Sequence, residues 1–196
     1  MPVKKSKAMI ATIDCALVTI EVTENGVTTE FGFDTSNKVQ VEPQIEEQEA
    51  VKLIIKGVLR AQKPAETTIT GHQITLIDNV FNPELVQILQ GGTILYDEED
   101  EDNVVGYIPP VAGSKEKGKV FKLNIYSAQY DVSGQIVRYE KTSYPNCVGT
   151  PVAFSVEDGV FRVSEYIINS APGTGEAPYE ISYVNELPTL VDTLVD

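Results

Sequence analysis

The chain has 196 residues, of which 29 are acidic and 15 basic, so its net charge is −14. This balance argues against a protein that grips nucleic acid by neutralising phosphates, because such binding needs clustered Lys and Arg. It is compatible with a surface that repels phosphate and lets DNA pass. The length suffices for one substantial core, and no linker rich in Pro, Gly or Ser divides the sequence, so we expect a single domain over residues 1–196.

Residues 1–22 begin with three lysines followed by a partly apolar run. The run alternates and is interrupted by Asp14 and Glu21, which favours a strand with a short basic arm over a signal peptide. No stretch of the sequence approaches the ~20 apolar residues that a membrane-spanning helix needs. We therefore expect no association with a membrane.

Alternation of apolar and polar residues predicts half-buried β-strands along most of the chain. The predicted strands cover residues 10–22, 51–59, 68–76, 120–130, 136–139, 152–156, 160–168 and 179–184. Predicted turns at residues 24–26, 133–134 and 157–159 join neighbouring strands over short distances, which indicates antiparallel pairing. The fold class is therefore mainly β, an antiparallel β-sandwich or barrel.

One segment, ITLIDNVFNPELVQILQGG at residues 74–92, predicts a short flanking α-helix. Asn82 suits the N-cap, and Pro83 suits the first helical position, where a missing N–H costs nothing. Gly91 and Gly92 supply the left-handed exit. The helix should therefore cover residues 83–90.

The predicted helix has an apolar side. Phe81 can pack onto Val86 across the cap, while Leu85 and Leu89 share a face one turn apart. A helix of about eight residues does not persist alone in water, so it must lie against a sheet or a neighbouring subunit. We interpret Phe81, Pro83, Leu85 and Leu89 as candidate subunit-interface residues.

Two segments break the strand pattern and predict long flexible arms. Residues 34–49 are polar and rich in Glu, and residues 97–119 contain an acidic run, a Pro-Pro pair and a flexible Gly-rich stretch. Loops of this length within a compact domain are usually functional or partly disordered. Residues 172–178 form a third, Gly-rich connection.

An acidic run within the second arm is the first candidate site. It consists of Asp97, Glu98, Glu99, Asp100, Glu101 and Asp102. An EF-hand requires ligands at alternate positions and a glycine at the sixth, and counting from Asp97 or Asp100 gives Asp102 or Val105 there instead. We interpret it as a solvated, self-repelling loop, with an electrostatic role at a surface or lumen as the second interpretation and adventitious calcium binding as the least favoured.

The sequence offers little for catalysis. His72 is the only histidine, and it is expected at a surface or interface. Cys15 and Cys147 are expected to be buried free thiols. Hydrolase, Walker A and dinucleotide motifs are absent. We therefore predict no enzymatic activity, no cofactor and no metal site.

Several segments resemble one known family, the major tail proteins of tailed bacteriophages and prophages of Gram-positive bacteria. The segments are residues 74–92, YIPPVAG at 107–113, FKLNIYSAQYDVSGQIVRYEKTSYPNCVGTPVAF at 121–154 and FRVSEYIINSAPGTGEAPYEISYVNELPTL at 161–190. The resemblance covers most of residues 50–190 and depends on overall texture more than on one invariant motif.

The resemblance implies a tail-tube subunit that assembles in the host bacterial cytoplasm and resides in the virion tail. Six copies would close a ring whose sheets merge into an inner wall, and stacked rings would form a channel that DNA passes without specific binding. The two arms would contact the next ring, and the resemblance leaves open whether the acidic run faces the lumen, the exterior or the next ring. The implied partners are further copies of the chain, the tape measure protein, and baseplate or tail terminator proteins.

Two alternatives remain open at this point. A type VI secretion tube protein has a similar fold and ring. A non-catalytic surface adhesin or carbohydrate-binding β-sandwich would use the nine tyrosines of the chain as a platform, although the absence of Trp weakens carbohydrate binding.

Overall fold

The computed structural model describes residues 11–100 and 103–190. These residues form thirteen β-strands and one α-helix, which confirms the mainly β fold class. The elements are β1 (Thr12–Glu24), β2 (Val27–Phe33), β3 (Ser36–Gln48), β4 (Val51–Ile55), β5 (Val58–Lys63), β6 (Glu66–Asp78), α1 (Pro83–Gln90), β7 (Thr93–Tyr96), β8 (Val104–Ile108), β9 (Phe121–Tyr130), β10 (Ile136–Gly149), β11 (Ala153–Glu157), β12 (Val160–Ser170) and β13 (Glu180–Val184).

One antiparallel sheet contains nine of the strands, in the order β2-β1-β9-β10-β12-β6-β3, with β13 added to β10 and β11 added to β12. The long strand β10 joins its two halves. Tyr139–Ser143 of β10 pair with both β9 and β13, whereas Cys147–Gly149 pair with β12. Side chains from both halves share a single core, so the sheet folds over into the two layers of a sandwich.

The core lies between the two layers and follows the period of two that half-buried strands require. Val18 and Ile20 of β1 and Leu123 of β9 are buried from one layer. Ile74 of β6 and Ile168 of β12 are buried from the other, and all five are fully excluded from solvent. The apolar alternation in the sequence therefore identified the core strands.

The predicted helix is confirmed at residues 83–90, with both of its ends formed as expected. The Asn82 side chain accepts a hydrogen bond from the backbone N–H of Leu85 at 3.1 Å. Pro83 occupies the first turn, and Gly91 ends the helix with a φ of 85°. No helix of the described residues is long and apolar enough to cross a bilayer.

Leu89 is held in a tight site between two glycines. A Cβ atom added to Gly149 of β10 would lie 2.5 Å from the Leu89 Cβ and 2.6 Å from its Cα. A Cβ atom added to Gly118 would meet the Leu89 carbonyl group. Gly149 and Gly118 therefore let the helix approach the sheet and the following loop at backbone distance.

The predicted strand at residues 51–59 is wrong, because this segment forms a hairpin instead. Strands β4 and β5 pair across a turn at Lys56 and Gly57, which have φ values of 50° and 77°. These values are those of a two-residue hairpin turn, in which glycine takes the second position readily. Because apolar residues flank the turn on both sides, the sequence pattern does not show where the first strand ends and the second begins.

The two segments predicted to be arms contain strands. In residues 34–49, β3 pairs with β6 from Ser36 to Gln48, and in residues 97–119, β8 pairs with β7. Strand β2 also lay outside the predicted strands. Strands β2 and β8 are short, and β3 packs only Val39 and Val41 against the core, so these strands lack the long apolar alternation on which the sequence prediction depends. The single-domain description with flexible arms stays a prediction.

Candidate assembly surfaces

His72 is buried beside two tyrosine rings, of which Tyr179 is exposed, rather than at the predicted surface or interface. It is 5% exposed, and its ring makes edge contacts with Tyr144 and Tyr179 at centroid distances of 5.3 and 5.4 Å. Its Nδ1 atom is buried without a hydrogen-bond partner among the described residues. Burial lowers the pKa of His72, because the charged imidazolium loses its hydration there.

Replacing His72 by phenylalanine should make the stability of the chain less dependent on pH between 7.5 and 5.5. The folded-state pKa of His72 lies below its ordinary value of 6.5, so the unfolded chain takes up the proton first as pH falls. The contribution of the neutral His72 ring to the free energy of unfolding is therefore complete above about pH 6.5, and it is lost as the pH falls below that value. Urea unfolding of both proteins at the two pH values measures this, and identical pH slopes would contradict it.

Both cysteine thiols are held in the protonated form, which is a poor nucleophile. Burial raises the pKa of Cys147 to about 12, and it also raises the pKa of the half-buried Cys15. A reactive thiol needs the opposite shift, toward the thiolate. Among the described residues, no group of three or more His, Cys, Asp and Glu side chains is placed to hold a metal ion.

The four candidate interface residues of the helix divide into two pairs. Leu85 and Leu89 are each 1% exposed and belong to the chain's own core. Phe81 and Pro83 are half-buried at the helix start, where the Phe81 ring lies 4.1 Å from the Arg162 guanidinium carbon. Their place in a subunit interface stays a prediction, and only Phe81 and Pro83 retain surface for a partner.

The acidic run connects the strands of the β7–β8 hairpin. The Asp97 carboxylate accepts hydrogen bonds from the Glu99 backbone N–H at 3.0 Å and from the Asn103 amide at 3.5 Å. Glu98, Glu99 and Asp100 are exposed. Glu101 and Asp102 lie outside the described residues. Sequence reasoning identified the run but placed it in an arm rather than at the tip of a hairpin.

The most extended feature of the molecule is a two-stranded projection, residues 44–70, which we call the arm. Its base is the ladder between the end of β3 and the start of β6, and its tip is the β4–β5 hairpin. Every arm side chain is exposed except that of Ala50, which is half-buried. The exposed apolar residues of the arm are Ile45, Val51, Leu53, Ile54, Ile55, Val58, Leu59 and Ile69.

The large sheet is open at its borders. Among the described strands, β2, β3, β11 and β13 each pair on one side only. Strands β2 and β13 border the same layer, on either side of β1, β9 and β10. Unpaired strand borders of this kind are templates for pairing with another chain unless something covers them.

The outer face of that layer carries a buried polar network that sequence reasoning missed. The Asn124 amide donates to Thr19 Oγ1 at 3.1 Å and to Glu21 Oε1 at 2.7 Å, and it accepts a hydrogen bond from Ser143 Oγ at 2.7 Å. Residues on three different strands form this network, so no local motif could have revealed it.

Leu190 packs a methyl group directly on Gly32 of β2.

The comparisons with known proteins give little. No family model matches the chain, and no curated protein matches it. A chain in the cryo-EM structure of the anti-feeding prophage (AFP) baseplate, 6-fold symmetrised, aligns over 91% of this chain and 98% of its own length, with 7% sequence identity and a TM-score of 0.37. A structural similarity this weak supports no conclusion about function.

Proposed function

We propose that this chain is a structural subunit of a phage tail tube, which assembles into stacked hexameric rings around a channel for DNA. The arm is the observation that carries the proposal. The exposed apolar side chains of the arm gain little hydrophobic stabilisation from their own chain. A partner that buries them would provide this stabilisation.

The open sheet borders support the same proposal. Pairing the β2 border of one copy with the β13 border of the next would continue the layer around a closed ring and remove both exposed edges. An arm projecting from each copy would then be available to reach a neighbouring ring. The segments that resemble major tail proteins include β9, β10 and β13, three of the five strands of this layer.

The chemistry of the chain suits a passive channel. The net charge of −14 repels DNA phosphates, so DNA would slide without being held. Neither thiol is placed for catalysis, since both are at least half-buried and burial raises the pKa of each, away from the reactive thiolate. The secretion tube would have the same ring, and neighbouring capsid and tape measure genes would favour the phage tail.

Electron microscopy of the purified chain at high concentration tests the proposal. We expect six-fold rings or tubes roughly 80–100 Å wide, a size set by six subunits of about 20 kDa around a pore as wide as DNA. Ile54→Asp should abolish assembly, because Ile54 is 59% exposed at the arm tip. Val132→Asp, in the fully exposed β9–β10 turn, is the matched control and should assemble normally.

Circular dichroism must show that both variants fold. A chain that remains monomeric at every salt concentration and binds glycans would contradict the proposal and favour the adhesin alternative. Assembly of Ile54→Asp as efficient as that of the native chain would contradict the role of the arm.

A further inference from the structure

The β4–β5 hairpin at the tip of the arm is basic in an otherwise acidic chain. Residues 51–65 contain no Asp or Glu, and they hold four of the 15 basic residues of the chain: Lys52, Lys56, Arg60 and Lys63. Within the described part of the chain, Lys63 pairs with Glu66 at 3.5 Å, and the other three make no ion pair. The tip therefore combines exposed positive charge with exposed apolar surface.

The β7–β8 hairpin has the complementary character. The described part of its tip carries Asp97 and three exposed acidic side chains, Glu98, Glu99 and Asp100. Its strands also expose apolar side chains, namely Leu95, Tyr96, Val104, Val105 and Ile108. A basic hairpin with apolar flanks and an acidic hairpin with apolar flanks match in both charge and hydrophobicity.

The two hairpins lie at opposite ends of strand β6. The β4–β5 hairpin precedes β6 at Glu66, and the other end of β6 is Asp78, whose carboxylate accepts a hydrogen bond from the Thr35 hydroxyl at 2.7 Å. Val104 of β8 lines the same surface pocket as Thr35. The twelve residue steps of β6 separate these ends by about 40 Å, so one chain cannot bring its own hairpins together.

We propose that the β4–β5 hairpin of one copy docks on the acidic β7–β8 hairpin of a second copy. Because the two surfaces differ and lie at opposite ends of the protomer, the contact is head-to-tail, and repetition of it builds an open stack rather than a closed dimer. This rests on the proposed function in one respect only, since it identifies which surfaces join successive rings of the tube.

A nucleic acid is the other partner that basic side chains could suggest. The base of the arm argues against it, because Glu46, Glu47 and Glu49 lie within a few residues of the basic tip. A phosphate backbone long enough to contact the whole hairpin would meet these carboxylates as well. An acidic protein surface limited to one hairpin fits the short basic tip better.

Zero-length cross-linking of the native chain tests the contact directly. A carbodiimide joins a lysine ammonium to a carboxylate only when the two groups touch. An equal mixture of ¹⁵N-labelled and unlabelled protein, cross-linked and digested, should give peptides that join residues 52–63 to residues 97–100. We expect half of these peptides to combine one labelled and one unlabelled partner, which is the signature of a contact between copies.

Charge reversal identifies the surfaces. Lys52→Glu with Arg60→Glu should reduce these cross-links at least tenfold, and so should Glu98→Lys with Glu99→Lys. Glu157→Lys with Asp158→Lys is the matched control for the second pair, since it makes the same charge change at an exposed hairpin turn and should leave the cross-links unchanged. Mixing the two variants provides one native junction, in which the basic hairpin of the Glu98→Lys and Glu99→Lys protein meets the acidic hairpin of the other, so the mixture should recover cross-links between copies that neither protein shows alone.

The outcomes separate this contact from the tube itself. Six-fold rings without the expected cross-links would overturn the hairpin contact and leave the tube intact. Cross-links between copies without six-fold rings would support the contact and contradict the tube. Cross-links within single chains only, or a shift of DNA in a gel that the Lys52→Glu and Arg60→Glu protein loses, would overturn the contact.

Discussion

Replacing Leu89 by alanine should lower the free energy of unfolding by about 2–5 kcal/mol, the range for buried leucines whose surroundings cannot collapse. Leu89 is 1% exposed, and the backbones around Gly118 and Gly149 lie against it. These backbones belong to β10 and to the loop after β8, so they cannot move in to fill the space. Urea unfolding followed by circular dichroism measures the change.

Leu59→Ala is the matched control for this experiment. The chemical change is identical, but Leu59 is 52% exposed on the arm, so its loss should change the stability of the isolated chain by no more than about 0.5 kcal/mol. Equal effects of the two substitutions would mean that the helix does not pack as described. Leu89→Glu should be more severe than Leu89→Ala, because it places an unpaired charge in the core.

Gly149→Ala should destabilise the chain by about 1–3 kcal/mol although it adds a single methyl group. The added Cβ would lie 2.5 Å from the Leu89 Cβ and 2.6 Å from the Leu89 Cα and O atoms. Backbone atoms cannot rotate away as the end of a side chain can, so the helix must move off the sheet. Thermal and urea unfolding should both show the loss.

Gly106→Ala provides the comparison for Gly149→Ala. The nearest atom to a Cβ at Gly106 is Leu95 Cδ1 at 3.5 Å, an ordinary contact at the end of a flexible side chain. This substitution should therefore leave stability nearly unchanged. If Gly149→Ala were equally harmless, the close approach of the helix to β10 would be wrong.

Much of the fold was predictable because its signals are local. The N-cap of Asn82, the turn at Gly91 and the alternation along β9 depend on residues close in sequence, and the structure confirms each of them. Strand β3 and the β7–β8 pair could not be recognised in this way. Their side chains are mostly exposed, so no long hydrophobic period marks them, and the β6 partners of β3 are distant in sequence.

The candidate surfaces were less predictable than the fold. The acidic run was visible in the sequence. The basic residues of 51–65 form one surface only because this segment folds into a hairpin at the tip of the arm. The network around Asn124 joins three strands, so only the assembled sheet brings its members together.

Local sequence signals suffice to identify a mainly β chain with one capped helix, because capping, turns and strand period act over a few residues. Which apolar residues the chain buries in its own core depends on the tertiary structure. Leu89 and Leu53 have the same side chain, yet Leu89 is 1% exposed in the core and Leu53 is 53% exposed on the arm. Burial depends on what the rest of the chain brings to each position, and nothing in the described chain covers the arm.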